Sequence, residues 1–334
     1  MKKIFRTGKL LFLVTCMFLV LGSTGCGKNE ENKLSIAYFD NITHGQALIM
    51  KNQNTLQEKL GDETEVEWVS FNAGPAEVEA CFAGDIDIGF IGPVPAATAN
   101  IKSNGDFVII SGATNGGTVL IARKDANIKS VKDLANKNVG VPQLGNTQHL
   151  LLLDLMKENN LSPKSDGGNV NVIEAQNADV ANLFSSGELD AAIVPEPWGT
   201  TILKGYDAEI VVDYDQFQNG AEYSTAVVIV NKEYMQEHKD IVRAFLETHL
   251  ETTEYIINNP EEAGKIMNAQ LDKDTGKQLD EDVIADAISK IKYTCDIPKD
   301  SIMNYAKTSV EQKFIAKEPD DSAFDSSLLD EISK

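Results

Sequence analysis

From Lys33 onward, short apolar strands alternate with helices, and this rhythm restricts the fold more than any other feature. Lys33 to Phe39 reads as a strand, Thr43 to Leu60 as a helix stopped by Gly61, and Glu65 to Phe71 as an alternating strand. Pro75 opens a helix that stops at Gly84. Ile86 to Ile91 is the next strand, and a helix over Ala96 to Lys102 follows. Phe107 to Ile110 and Thr118 to Ala122 are strands flanking a Gly-rich turn, Gly112 to Gly117.

The alternation then repeats. A helix at Val131 to Asn136 precedes the strand Asn138 to Val141, and Thr147 to Asn159 is helical. Val170 to Ile173 is a strand, Asp179 to Ser186 a helix, and Leu189 to Val194, Ile210 to Val212 and Thr225 to Val230 are strands. Beyond Lys232 the pattern is nearly all helical. Such alternation predicts an α/β fold with doubly wound parallel sheets. Two runs joined by strand crossings predict two lobes. The crossings are expected near Ile121 and Val228, giving 33–121 with 229–334 as one lobe and 122–228 as the other.

The first 26 residues read as an address. Lys2, Lys3, Arg6 and Lys9 precede an apolar run, Leu10 to Leu21, which is shorter than the ~20 residues of a bilayer-spanning helix. Small residues lead to Gly25-Cys26, the form of a lipobox. The expectation is a signal peptide over 1–25, a lipidated Cys26, and a polar tether over 26–32. That places the protein on the extracytoplasmic face of the cell membrane, held by lipid alone. Losing residues 1–25 removes four positive charges and no negative one, so the net charge moves from −21 to −25. So acidic a chain does not bind nucleic acid through a basic patch.

The 42% hydrophobic and 24% charged residues are those of a folded globular chain. Besides Cys16 and Cys26 there are Cys81, on the apolar side of a helix, and Cys295. A disulfide between these two is permitted by compartment but not suggested by spacing. No Cys or His cluster has metal-ligand spacing, no cofactor motif is present, and no Gly-x-Ser-x-Gly, Walker or His-Glu-x-x-His pattern occurs. His238 and His249 fall in charged helical sequence and read as surface residues.

In open parallel sheets ligands lie beyond the carboxyl ends of the strands. The loops there are Asn41 to Gly45, Asn72 to Pro75, Gly92 to Pro95, Gly145 to Gln148 and Pro195 to Trp198. Several open a helix with Gly, Pro, Thr or Asn, leaving N–H groups unpaired at a helix start that carries roughly half a positive charge. Any one loop can serve merely as a cap or turn. Several aimed into one crevice make an anion site without Lys or Arg. Asn146, Thr147 and Gln148 add three side-chain donors at one helix start. His44 reads equally as an anion donor or as a polar helix-start residue. Trp198 is expected to line the cleft; Glu196 is left open.

These loops resemble the solute-binding proteins of ABC importers, in the nitrate, taurine and aliphatic sulfonate group. The pieces are Phe39 to Leu48, Phe71 to Pro75, Phe90 to Pro95, Ser111 to Gly117, Val141 to Gln148, Val194 to Trp198 and Asn258 to Ala263. The aliphatic-sulfonate binders are the closest subgroup; Val94 stands where they usually carry Asn, and His149 where they often carry Asp. The resemblance implies a two-lobed periplasmic-binding-protein-like fold (type II) and no enzyme activity. It implies a small sulfonate as ligand, with an ABC permease and its ATPase as partners. The other solutes of the group (taurine, nitrate, bicarbonate, thiamine precursors) are alternatives. A pyrimidine-synthase-like enzyme would need a Cys-rich motif that is absent. A receptor subunit that binds ligand for signalling is a third reading. The expected ligand-binding set is Thr43, His44, Asn72, Gly92, Pro93, Gly117, Asn146, Thr147, Gln148, Glu196, Trp198, Ser224 and Thr225, in a monomer without cofactor or metal.

Overall fold

The computed structural model describes residues 33–218 and 220–334, so the signal sequence, Cys26 and the tether lie outside the described residues. The strands are β1 (Lys33–Phe39), β2 (Glu65–Phe71), β3 (Ile88–Ile91), β4 (Phe107–Gly116), β5 (Thr118–Arg123), β6 (Asn138–Val141), β7 (Asn171–Glu174), β8 (Ala191–Pro195), β9 (Ala208–Val212), β10 (Ser224–Asn231) and β11 (Ile291–Tyr293). The helices are α1 (Gly45–Gln53), α2 (Thr55–Leu60), α3 (Gly74–Ala83), α4 (Pro93–Lys102), α5 (Thr147–Glu158), α6 (Val180–Ser186), α7 (Trp198–Gly205), α8 (Lys232–Glu237), α9 (Lys239–Asn258), α10 (Pro260–Thr275), α11 (Glu281–Ser289), α12 (Lys299–Glu311) and α13 (Ser327–Ile332).

Two sheets result. The first has the order β11-β4-β10-β3-β1-β2 and the second β7-β6-β8-β5-β9. The sheets are mixed, not wholly parallel as expected. β10 runs antiparallel to β3 and β4, and β5 antiparallel to β8 and β9. β5 and β10, the first strands after each crossing, reverse direction, as does β11 at the edge of the first sheet.

The crossings differ from those expected. β4 belongs to the first sheet and β5 to the second, so the chain crosses at Gly117, not near Ile121. It returns between Val212 and Ser224, since all of β10 lies in the first sheet. Gly117 has φ +72°, and a Cβ there would sit 2.6 Å from Ile291; glycine alone fits such a turn easily. The expected Gly-rich turn at Gly112 to Gly116 is strand, held between β10 and β11. The single expected helix over Thr43 to Leu60 is broken by Asn54 in the left-handed region at φ +58°.

Both faces of the first sheet are covered, which is why β1 is apolar on both sides from Ile36 to Phe39. Leu34, Ile36, Phe90 and Val228 pack under α1, α9 and α10. On the opposite face Ala37, Phe39, Ile109 and Ile229 meet Val78 and Cys81 of α3 and Ala96 and Ala99 of α4. In the second sheet Val139, Val141 and Ile193 bury Leu150 to Leu153 and Met156 of α5. Helix α12 serves both lobes: Ile302 enters the first core and Tyr305 the second. The carboxyl-terminal region is therefore not wholly part of the first lobe. Cys81 and Cys295 are both free thiols.

Candidate ligand-binding cleft

β1 and β2 pair in register to their last residues, Phe39 with Phe71. Their following loops therefore leave the sheet side by side. β3 delivers Gly92 to the same edge, and β6 and β8 bring Pro142 and Pro195 from the other lobe. These strand ends surround a cavity of about 20 Å³, room for about one water. The lobes thus lie closed over it.

Four helix starts meet there, those of α1, α3, α4 and α5, through Thr43 and His44, Gly74, Gly92, and Asn146 to Gln148. Among the described residues no Lys, Arg, Asp or Glu lines this cavity. Its field comes from helix ends and neutral donors, the arrangement that accepts an anion without a counter-charge.

His44 is buried, and its ring stacks on Phe39 with centroids 4.3 Å apart. Its Nδ1 accepts the Phe39 N–H at 3.2 Å, and burial pushes the imidazole pKa down to about 3. The ring is therefore neutral, with its proton on Nε2 as a donor. Asn146 caps α5: its Oδ1 accepts the His149 N–H at 2.8 Å. Its Nδ2 donates to Gln148 Oε1 at 3.0 Å, and Gln148 Nε2 donates to Thr118 Oγ1 at 3.3 Å. These two amides hold each other in place and are less free as donors than expected. Thr147 Oγ1 lies 3.5 Å from the Val94 nitrogen. A Cβ on Gly92 would stand 2.4 Å from that oxygen, so glycine lets α4 and α5 approach across the cleft. Thr225 Oγ1 lines the cavity and donates to the Gly116 carbonyl.

Asn72 clasps the lobes together. Its Nδ2 donates to the Pro142 carbonyl at 2.8 Å, and its Oδ1 accepts the Asn177 N–H at 3.4 Å. Asn41, Asn72 and Asn177 also line a second, outer pocket of about 450 Å³ with Asp40, Trp198 and Lys277. Trp198 belongs to this outer wall, where its Nε1–H donates to the Asp40 carbonyl at 3.1 Å.

Of the expected set, Thr43, His44, Asn72, Gly92, Asn146, Thr147, Gln148 and Thr225 line the inner cavity; Pro93, Gly117, Glu196, Trp198 and Ser224 do not. Pro93 is the buried first residue of α4, Gly117 makes the crossing, and Ser224 donates its N–H to Ser301 Oγ at 2.9 Å. Glu196 is fully buried and ion-paired to Lys290 at 3.1 Å, so its carboxylate is already occupied. Burial pushes its pKa up, and Lys290 pulls it back. His249 is not on the surface; it is buried in the first core and bonds the Gly112 carbonyl at 2.9 Å. Sequence reasoning placed Asn41, Ala73, Gly74, Pro95 and Pro195 in the ligand loops without naming them as contacts, and it missed Asn177. Asn177 follows the parallel strand β7, and that position was the available signal. Its buried Oδ1 has no partner among the described residues. No group of three or more His, Cys, Asp or Glu able to hold a metal occurs among the described residues.

The profile of the NMT1-like family matches residues 27–270. This chain belongs to that family. The NMT1-like protein is 26% identical to the taurine-binding periplasmic protein of Escherichia coli (strain K12) over 64% of each chain. It thus spans under two thirds of that relative's length. It is 24% identical, over 97% of both chains, to a Bacillus subtilis (strain 168) protein named as a candidate aliphatic sulfonates-binding protein. The alkanesulfonate-binding protein of Xanthomonas axonopodis pv. citri, solved bound to MOPS, superposes with a TM-score of 0.71. That alignment covers 85% of this chain and 94% of the other at 18% identity. The NMT1-like protein therefore has the expected two-lobed periplasmic-binding-protein fold. Among the described residues no helix is long and apolar enough to cross a membrane.

Proposed function

We propose that this protein captures a small organosulfonate outside the cytoplasm and delivers it to an ABC permease driven by its ATPase. The observation that carries this reading is the convergence of four helix starts on a cavity without charged side chains. A sulfonate stays anionic and accepts hydrogen bonds only. The helix N–H groups, the His44 Nε2–H and the Thr147 hydroxyl supply donors of the matching kind. Its organic tail points toward the outer pocket and Trp198, and the Asn72–Asn177 contact gives way to admit it. The names of the relatives and the MOPS-bound neighbour favour the same chemistry.

The protein binds and releases without catalysis. The tight cavity means that ligand enters only when the lobes part, and ligand contacts then favour the closed state. Ligand-binding roles fall to Thr43, His44, Gly92, Asn146, Thr147, Gln148 and Thr225, with Asn72 as the clasp. Cys26 carries the lipid anchor, and the protein acts as a monomer. Cys26→Ser then releases the protein to the soluble fraction or leaves it unprocessed; unchanged membrane retention with normal processing rejects the anchor.

Isothermal calorimetry of the purified chain with ethanesulfonate, taurine, nitrate and a thiamine precursor tests the function. Saturable binding of a sulfonate, tighter than nitrate or the precursor, is the expected result. Tighter nitrate or precursor binding, or no sulfonate binding, overturns it. Taurine binding more tightly than ethanesulfonate moves the preference from a plain to an amine-bearing sulfonate.

A further inference from the structure

We propose that Glu196 and Lys290 form a pin about which the two lobes turn, so that Glu196 sets ligand affinity by positioning and not by contact. This rests on the reading of the protein as a closing binder. Glu196 follows Pro195, which lines the inner cavity. Its N–H donates 2.8 Å to the carbonyl of Gly117, the crossing residue. Its carbonyl accepts the Ile42 N–H from the first lobe at 3.2 Å.

The carboxylate is closed off from solvent. It accepts from the Thr200 N–H at 2.9 Å, from the Thr200 hydroxyl at 2.9 Å and from Lys290 Nζ at 3.1 Å. Lys290 Nζ donates also to Thr200 Oγ1 at 2.7 Å. Lys290 immediately precedes β11 of the first sheet, and Ile291 pairs with Gly116 beside the crossing. The ion pair therefore joins the lobes where the chain itself passes between them.

Points near the axis of a hinge move least when lobes rotate. Contacts at the mouth, such as Asn72 to the Pro142 carbonyl, must part for ligand to enter. The Glu196–Lys290 pair, close to that axis, is strained rather than broken by opening, and so it favours the closed angle. A buried ion pair adds little net stability over an apolar substitute, but removing one partner strands a charge: Lys290→Met leaves the Glu196 carboxylate with Thr200 alone, whereas Glu196→Gln leaves Lys290 with Asp286 at 3.7 Å. Stranding it beside the crossing shifts the balance between open and closed lobes. Apparent affinity scales with the competent fraction, so every ligand loses the same factor.

The test uses Glu196→Gln, Lys290→Met, the double variant and Lys290→Arg in the full chain. Small-angle scattering gives the radius of gyration without ligand, and calorimetry gives affinities for ethanesulfonate and taurine. Glu196→Gln and Lys290→Met are each expected to enlarge the unliganded protein and weaken both ligands by one common factor, about tenfold. Lys290→Arg should restore both, and the double variant should cost less than the two singles combined. A changed ratio between the ligands in Glu196→Gln overturns the pin, because Glu196 would then touch ligand. Unchanged dimensions with additive effects overturn it too. Should Glu196→Gln not fold, Lys290→Met against Lys290→Arg carries the same comparison. If no sulfonate binds, the proposed function falls and the scattering arm still decides the pin.

Discussion

His44 accepts the Phe39 backbone N–H on Nδ1 while its ring stacks on the Phe39 side chain. The hydrogen bond requires Nδ1 to be unprotonated. His149 makes the same kind of bond, its Nδ1 accepting the Gly145 N–H at 2.9 Å behind the α5 start. Burial lowers the pKa of His44 to about 3 and of His149 to about 4, from 6.5 when exposed.

A lowered pKa in the fold means stability that is present above 6.5 and lost as pH falls toward those values. The urea midpoint should therefore fall between pH 6.5 and 4, and a His44→Gln/His149→Gln variant should show a shallower fall. Sulfonate affinity should change less than about twofold between pH 6.5 and 8, because neither ring titrates there. A steep binding profile in that range would count against a neutral His44.

Glu77 works in the opposite direction. It is fully buried on α3, and neither carboxylate oxygen has a partner among the described residues. Burial raises its pKa well above 4.5. Its contribution is present below 4.5 and is lost as pH rises toward the raised value. Glu77→Leu should stabilise the protein at pH 8 and change little at pH 4, measured by urea unfolding at both. Equal effects at the two pH values would refute this.

Thr147→Ala removes a hydroxyl at the α5 start. A hydrogen bond to a charged group is worth about 1.5–3 kcal/mol, so binding should weaken roughly ten- to a hundredfold. The melting temperature without ligand should hardly move. An unchanged dissociation constant by calorimetry would remove Thr147 from the ligand contacts.

Gly92→Ala places a methyl 2.4 Å from Thr147 Oγ1 but 3.4 Å from Thr147 Cβ. The clash is with the oxygen. Gly92→Ala alone should hold the lobes apart and weaken binding at least as much as Thr147→Ala. The double variant should bind about as well as Thr147→Ala alone, since the oxygen is gone. Additive losses in calorimetry would show that Gly92 matters for another reason.

Much of this was legible in the sequence. The bounds expected for β1, β2 and β6 match those observed, because capped apolar runs leave little freedom. The helix starts that build the anion site were legible through their Gly, Pro, Thr and Asn. Less legible were features set by distant partners. Gly112 to Gly116 reads as a turn until β10 and β11 pair with it. Glu196 reads as a ligand group until Lys290, from a helix end 94 positions away, occupies it. His249 looks exposed in a charged helix, yet the heptad face it sits on, with Phe245 and Thr252, is the buried one.

The place of β10 in the first sheet also orders the folding of the chain. β10 separates β3 from β4, yet it is made after every strand of the second sheet, which is contiguous from Thr118 to Val212. Until residue 231 exists, the facing edges of β3 and β4 have no strand to pair with. Unpaired edges invite association with other chains, and a late, long-range pairing is slow to form. The second sheet can complete itself while the first, though begun earlier, still waits for its central strand. The sheet that starts first on the ribosome is thus the one that finishes last.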